Sequence, residues 1–440
     1  MKKTFEKTVT LEKREGTTFL TLPLVAFVAL VFTIAFLLLL IWSIKRRNDV
    51  HFKTTDAGNV QDLVSSIAGV THGTIQGGNS IDVLQNGEFF KRLFVDIAAA
   101  RETIHFETFL WHEGAVGDRL GNALAAKARQ GVEVRVMLDA SGTRPMDDEL
   151  EEMMQKAGCK VVKFHGVNLS NLGRLNNRTH RKLTIIDGRI GYTGGHGIAP
   201  EWEGEARHKK EFRDTAVRIE GPVVGQLQAA FSENWIEETG EVTAGEKYFP
   251  QLPATGTVKA HLVYSSQAGS ASAVELLYYL AIVSARRELI IQNPYFLPDS
   301  EGVKEMEKAI KRGVRVVVMM PSAEATDTPL VQHASHYGYA ELLRIGVELY
   351  EYQKTLLHQK VIIVDGRWAC VGSTNFDDRS LEINDEDSLA VLDRGVAETL
   401  MQAYQEDLKH SARVDDALWK KRGLLHRARD AASYLISEQL

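Results

Sequence analysis

The most constraining feature of this 440-residue chain is that most of it is written twice. Phe90 to Arg101 reads as a helix running into a short apolar strand at Thr103-Ile104-His105-Phe106, and Leu276 to Arg287 runs into Leu289-Ile290-Ile291 in the same way. Lys127-Ala128-Arg129-Gln130-Gly131 precedes the β-branched run Val132 to Leu138, as Lys311-Arg312-Gly313 precedes Val314 to Met319; a glycine just past a helix end is the expected cap. In the third pair, Lys182 to Arg189 and Lys360 to Arg367, an Asp-Gly turn signal closes a hydrophobic strand. Matched positions lie 186, then 182, then 178 residues apart, so the register drifts slowly along the chain. This is a duplicated α/β unit. Helices alternating with near-continuous apolar strands predict a buried, largely parallel sheet with helices on its faces.

Around the repeat the composition changes. No charged residue occurs from Phe19 to Ile44, and at 1.5 Å per residue such a run spans roughly 39 Å, more than the ~30 Å hydrocarbon core of a bilayer. One N-terminal transmembrane helix is therefore expected. A cleaved signal peptide has a shorter apolar core and a small-residue cleavage site, whereas this run ends in Trp42 and Lys45-Arg46-Arg47. Basic residues flank both ends, so charge bias does not orient the span. The expected organisation is a tail and anchor over 1–47, a connecting segment over 48–85, a first half over 86–245, a second half over 256–410 and a basic amphipathic segment over 411–440. In that last segment Trp419, Lys420, Lys421 and Arg422 precede Leu424, Leu425, Ala428, Ala431, Ala432, Leu435 and Ile436 at helical spacing. The pattern suits either a membrane interface or a helix packed on the body.

The net charge of −6 conceals an asymmetry, because the first 47 residues carry eight Lys/Arg against three Glu and residues 48–440 carry a net −11. A body that acidic is poorly suited to a nucleic-acid backbone, whose affinity rests on phosphate neutralisation. The two cysteines, Cys159 and Cys370, are too far apart in sequence for a thiolate metal cluster or a dithiol motif, and two buried thiols are expected.

The chemistry sits in the third repeated element. His180-Arg181-Lys182 is followed by Asp187, and His358-Gln359-Lys360 by Asp365. In an extended chain, residues i and i+2 share a face, so each half presents an imidazole beside an ammonium. Brought together across a pseudo-twofold axis, the four groups suit a phosphodiester. The lysines neutralise its non-bridging oxygens, one histidine attacks phosphorus, and the other protonates the leaving alkoxide. Gly194-Gly195 and Gly372-Ser373-Thr374-Asn375 follow the motifs as glycine-containing loops, making Gly194, Gly195, Ser373 and Asn375 candidate phosphate contacts. A nucleophilic histidine needs a carboxylate on its other nitrogen. Asp214 and Glu386 are the candidates, 34 and 28 residues after the histidine of their own half. No metal or cofactor is required by this chemistry, and the sequence has no conspicuous cluster of metal ligands.

With its two H-x-K-x4-D motifs the chain resembles the phospholipase D superfamily and, within it, the bacterial cardiolipin synthases. The likeness is strongest from Leu357-His358-Gln359-Lys360 through Gly372-Ser373-Thr374-Asn375-Phe376-Asp377-Asp378-Arg379-Ser380-Leu381-Glu382-Ile383-Asn384-Asp385-Glu386, and it recurs at Thr179-His180-Arg181-Lys182 and Phe212-Arg213-Asp214-Thr215. It covers roughly residues 85 to 410. The resemblance implies two phospholipase D-like α/β/α units with the active site between them, and a catalytic set of His180, Lys182, Asp187, His358, Lys360 and Asp365. It also implies a bacterial inner-membrane phosphatidyltransferase with phospholipid substrates, typically two phosphatidylglycerols, no nucleic-acid partner, and His180 as nucleophile with His358 as acid and then base. One departure stands out: Gly197 occupies the loop position where the superfamily commonly has Asn, as at Asn375.

Other residues have plainer expectations. Asp187 and Asp365, at strand–turn junctions, suit a structural role. His105, His112, His165, His196, His208 and His261 read as surface or satisfied core. His333 and His336, with Asp327, Tyr337 and Tyr339, are candidates for lipid contact. The alternatives to a transferase are phospholipase D-type hydrolysis with water as acceptor, a nuclease on the same scaffold, which the acidic body disfavours, and an inert lipid-binding scaffold, which two intact motifs disfavour.

Overall fold

The computed structural model describes residues 24–36, 52, 58–166, 177–266 and 272–434, in two units, residues 1–51 and 52–440. In the first, residues 24–36 form a helix whose apolar side chains, such as Phe27, Phe32 and Phe36, are exposed. No helix among the described residues is long and apolar enough to cross a membrane. The remainder of the Phe19–Ile44 run lies outside the described residues.

The body is one 15-stranded sheet built from two like halves. The first seven strands are β1 (Gln76–Gln85), β2 (Thr103–Thr108), β3 (Glu133–Asp139), β4 (Lys160–Phe164), β5 (Leu183–Ile186), β6 (Ile190–Gly194) and β7 (Thr215–Glu220). The second half adds β8 (Val258–Ser265), β9 (Glu288–Gln292), β10 (Arg315–Pro321), β11 (Glu348–Tyr352), β12 (Val361–Val364), β13 (Trp368–Gly372), β14 (Glu386–Leu392) and β15 (Ser411–Arg413). Their order, β15-β11-β10-β9-β12-β13-β14-β8-β1-β7-β6-β5-β2-β3-β4, is a palindrome about the β8–β1 pair but for β15.

The sheet is mixed, not largely parallel as the helix–strand alternation suggests. Among the described strands, only β2, β3 and β4, and likewise β9, β10 and β11, run parallel. These are the strands joined by helical crossovers, the connection that parallel pairing demands. β5 and β6, and β12 and β13, are instead hairpins closed by Asp187-Gly188 and Asp365-Gly366, whose φ values of +52° and +63°, and +54° and +63°, fit the positive-φ turn that matches strand twist.

The strands read as continuous apolar runs because both faces are covered. Leu183 and Ile185 of β5, with Val361 and Ile363 of β12, face a central cluster that draws on both halves and on the helices Val224–Thr239 and Arg394–Leu408. Ile186 and Val364, one residue on, face the outer cluster of their own half. Cys159 and Cys370 are buried and free, as expected.

Residues 48–85, read from sequence as a connection, contain the helix Val60–Val70 and β1. β1 pairs with β7 on one side and β8 on the other, joining the halves. Its sequence, Gln-Gly-Gly-Asn-Ser-Ile-Asp-Val-Leu-Gln, carries little strand signal, and its order comes from tertiary bonds. Buried Asn79 donates to Gln76 O and Val258 O at 2.7 and 3.0 Å and accepts from Val223 N at 2.9 Å. At the other end of the chain, the helices Asp416–Lys420 and Leu424–Tyr434 pack on the helix Pro329–Ile345. The segment packs on the body through a polar face that includes buried Asp430, while Leu424 and Leu425 remain 82% and 90% exposed.

Candidate active site

Each motif precedes a hairpin strand and is held by the opposite half. Thr179 forms a parallel bridge with Asp385, and Arg213 one with Leu357. His180 N donates to Asp385 O and His358 N to Arg213 O, both at 2.8 Å. These contacts set the most informative feature of the site, because the carboxylates cross over. His180 Nδ1 lies 2.8 and 3.0 Å from the two Glu386 oxygens, and His358 Nδ1 lies 2.8 Å from Asp214 Oδ2. Both residues were expected beside histidines, but each serves the other half's. Pairing within one half fails because the strand carrying each carboxylate lies opposite the partner's histidine segment.

The remaining groups seat these four. Lys182 Nζ and Lys360 Nζ each donate to the carbonyl of their own histidine at 2.7 Å, and Lys360 Nζ stands 3.0 and 3.1 Å from His358 Nδ1 and Nε2. Phe109 meets His180 edge-on at 4.9 Å between centroids, and Trp202 does the same to His358 at 5.1 Å. Trp202 Nε1 also donates to Asp214 Oδ2 at 2.8 Å, and the Ser373 hydroxyl donates to Glu386 Oε2. Two further bonds cross between halves: Lys182 N to Asp387 Oδ1 at 3.2 Å, and the Thr215 hydroxyl to Gln359 Oε1 at 2.5 Å. Phe109, Trp202 and Asp387 were not singled out from sequence, and Thr215 and Gln359 stand there only inside the quoted motifs. Thr215 and Asp387 did carry one weak signal, as the residues immediately following the paired carboxylates.

Burial dominates the electrostatics. It pushes Lys182 down to about 8 and Lys360 to about 7, the nearby carboxylates only partly opposing it. Burial and the two lysines hold His180 well below the usual imidazole range. His358 is also lowered by burial and Lys360, but Asp214 pulls the other way. Burial works against ionisation of Asp214, yet His196, His358 and Lys360 outweigh it and keep the carboxylate charged. Glu386, by contrast, is raised by burial despite Lys182 and Ser373.

The expected phosphate contacts divide. Ser373 N is committed to Asp387 O at 2.8 Å and its hydroxyl to Glu386, so it positions the carboxylate. Gly195 N donates to Thr215 O, and a Cβ at Gly195 would stand 2.2 Å from Asp214 Oδ1; one at Gly194 would stand 2.6 Å from Thr215 O. These glycines make room for the Asp214 strand. Asn375 remains suited to phosphate, being buried with Oδ1 unbonded among the described residues. At Gly197 a Cβ would press on Leu110 and Trp202 at 3.1 and 3.2 Å, so the first half fills its Asn position with the indole that holds Asp214. His196 does not replace that Asn, since its Nε2 bonds Asn86 O at 2.9 Å and its ring stacks on Phe89.

Asp187 and Asp365 stand away from the reacting groups. Asp187, seven residues past His180 and so about 20 Å along an extended chain, accepts from Arg101, Glu102 and Thr103 N at 2.9, 2.7 and 2.9 Å. Asp365 does the same for Arg286, Arg287 and Glu288 N at 3.0, 2.7 and 3.0 Å. They tie the hairpin turn to the start of the neighbouring strand, and are positioning residues. Of the proposed lipid contacts, Asp327 bonds Tyr295 and bears electrostatically on His358, whereas His333 and His336 turn to the C-terminal helices. His105 is satisfied core, bonded to Gln228 and stacked on Phe231.

Fold and site together define an enzyme of the phospholipase D type, with two imidazoles, two ammonium groups and two carboxylates brought together from both halves. The chain belongs to the family described as "Cardiolipin synthase, PLD-like domain", which it matches over residues 93–235 and 279–410. It is 34% identical to cardiolipin synthase 2 of Staphylococcus epidermidis over 364 residues, covering 82% of this chain and 74% of that one. A probable cardiolipin synthase of Bacillus subtilis is 34% identical over 369 residues, covering 83% and 73%. Among solved structures, phosphatidylserine synthase of Haemophilus influenzae shares the fold, with a TM-score of 0.62 at 14% identity over 82% of this chain and 95% of that one.

Proposed function

We propose that the chain makes cardiolipin from two phosphatidylglycerol molecules, through a phosphohistidine at His180. The observation that carries this reading is the crossed pair of histidine–carboxylate contacts beside two buried lysines. His180 Nδ1–H donates to Glu386, leaving Nε2 as the attacking atom, and its depressed basicity keeps it neutral. His358 is the more readily protonated imidazole because ionised Asp214 supports its cation. Lys360 Nζ, equally near both ring nitrogens of His358, keeps its charge for the phosphate oxygens.

In the first step the His180 Nε2 lone pair forms a bond to phosphorus while the P–O bond to glycerol breaks, and His358 gives its proton to the departing oxygen. In the second, the terminal hydroxyl of another phosphatidylglycerol gives its proton to His358 and displaces the histidine. The lysines and Asn375 hold the non-bridging oxygens throughout. The apolar run Phe19–Ile44 supports a single-pass anchor in a bacterial cell membrane, and the acidic body supports lipid over nucleic acid.

The test is to give detergent-purified protein phosphatidylglycerol and resolve its products. Cardiolipin with equimolar glycerol is expected. Phosphatidic acid in its place would make water the acceptor and the enzyme a hydrolase.

A further inference from the structure

Away from the paired histidines, the C-terminal segment meets the body in a cluster that catalysis does not use. His333 and His336 lie one turn apart on the helix Pro329–Ile345, and Asp430 comes to them from Leu424–Tyr434. One ligand atom from each lies within 4.8 Å of the others. His333 Nδ1 is 3.0 Å from Asp430 Oδ1. His336 is 4% exposed, and its Nδ1 is buried with no hydrogen-bond partner among the described residues. A buried imidazole nitrogen without a partner is costly unless something else occupies its lone pair.

The surroundings supply the outer hydrogen bonds that a metal centre needs. His336 Nε2 lies 3.2 Å from Glu351 Oε1 and 3.3 Å from Gln332 Nε2, and the tautomer that donates to Glu351 leaves Nδ1 as the lone-pair nitrogen. Asp430, only 1% exposed, accepts from Arg422 Nη1 at 2.6 Å on its second oxygen, leaving the first for a ligand. Trp419 covers His336 edge-on at 5.1 Å. Two imidazoles and a carboxylate suit a zinc-like divalent transition ion over calcium or magnesium. Rotations of about 1 Å would bring the ligand atoms to the roughly 3.4 Å separation of tetrahedral zinc at its usual bond lengths.

We propose that His333, His336 and Asp430 bind a zinc ion that clamps the C-terminal helix to the second half. This goes beyond the catalytic reading and stands or falls apart from it.

The test uses the full-length, tag-free protein in detergent, stripped with a chelator and titrated with zinc alone. The expected result is one tightly held zinc per chain after dialysis, by elemental analysis, retained in His180→Ala and lost in His336→Ala and Asp430→Asn. Glu351→Gln, which leaves all three ligands in place, weakens zinc by about 10–100-fold. At zinc 100 times its Kd, tryptic cleavage around Arg427 and Arg429 slows by roughly 100-fold where local opening limits it. No bound zinc in the wild type, or equal zinc in wild type and both ligand variants, overturns the proposal.

Discussion

At the scale of single residues, the site is a set of six groups that work as one. His180→Ala and His358→Ala are each expected to remove turnover almost completely, and the double variant to lose little more, because nucleophile and acid act as a unit. Mass spectrometry of quenched reactions distinguishes their roles: the phosphohistidine disappears in His180→Ala, and finding it on His358 instead would reverse the assignment. Crossing makes a sharper prediction. Glu386→Gln, in the second half, is expected to slow formation of the adduct on His180 in the first by about 10²–10⁴-fold, the scale set by removing the orienting carboxylate of a triad. Asp214→Asn is expected to fall on protonation by His358. The lysines predict the pH dependence. With Lys360 near 7 and Lys182 near 8, kcat/KM falls as pH rises through that range and the phosphate loses its ammonium partners. Stability moves oppositely: between these values and the usual 10.5 the unfolded lysines bind more protons than the folded ones, so their contribution rises with pH. An alkaline limb in kcat/KM that also tracked unfolding would contradict this.

At the scale of elements, the paired strands were legible because both faces of each are buried, which leaves an apolar run with no alternation to misread. Their direction was not, since a run such as Val361 to Val364 carries no mark of its neighbour's sense. The Asp-Gly turns were the available signal, and they specify hairpins. β1 was missed because its order comes from bonds at Asn79 and not from its own composition. The motif histidines, lysines and candidate carboxylates were all legible as residues, while their pairing was not, because spacing along the chain is silent about which half a side chain faces. Asp187 and Asp365 give the prediction at this scale. Each holds three backbone N–H groups, so Asp187→Ala or Asp365→Ala is expected to lower stability by about 2–4 kcal/mol, read from denaturant unfolding, with Asn as the milder replacement. Turnover lost at unchanged stability would give these residues a chemical role instead.

For the whole molecule, the charge asymmetry and the Phe19–Ile44 run predict that removing residues 1–47 releases the body from membranes without disturbing its site. Activity on detergent-dispersed phosphatidylglycerol is expected to survive while sedimentation with membranes falls; lost activity with an intact fold would place the segment in catalysis. Crossing has a consequence for the history such a chain permits. A unit of one half's length holds a histidine and a carboxylate that cannot meet, so alone it works only by finding a second copy, at a rate set by its concentration. Joining the copies in one chain removes that search and lifts the requirement that they stay identical. Gly197 with Trp202 on one side, and Asn375 on the other, is what two copies look like once each is free to specialise.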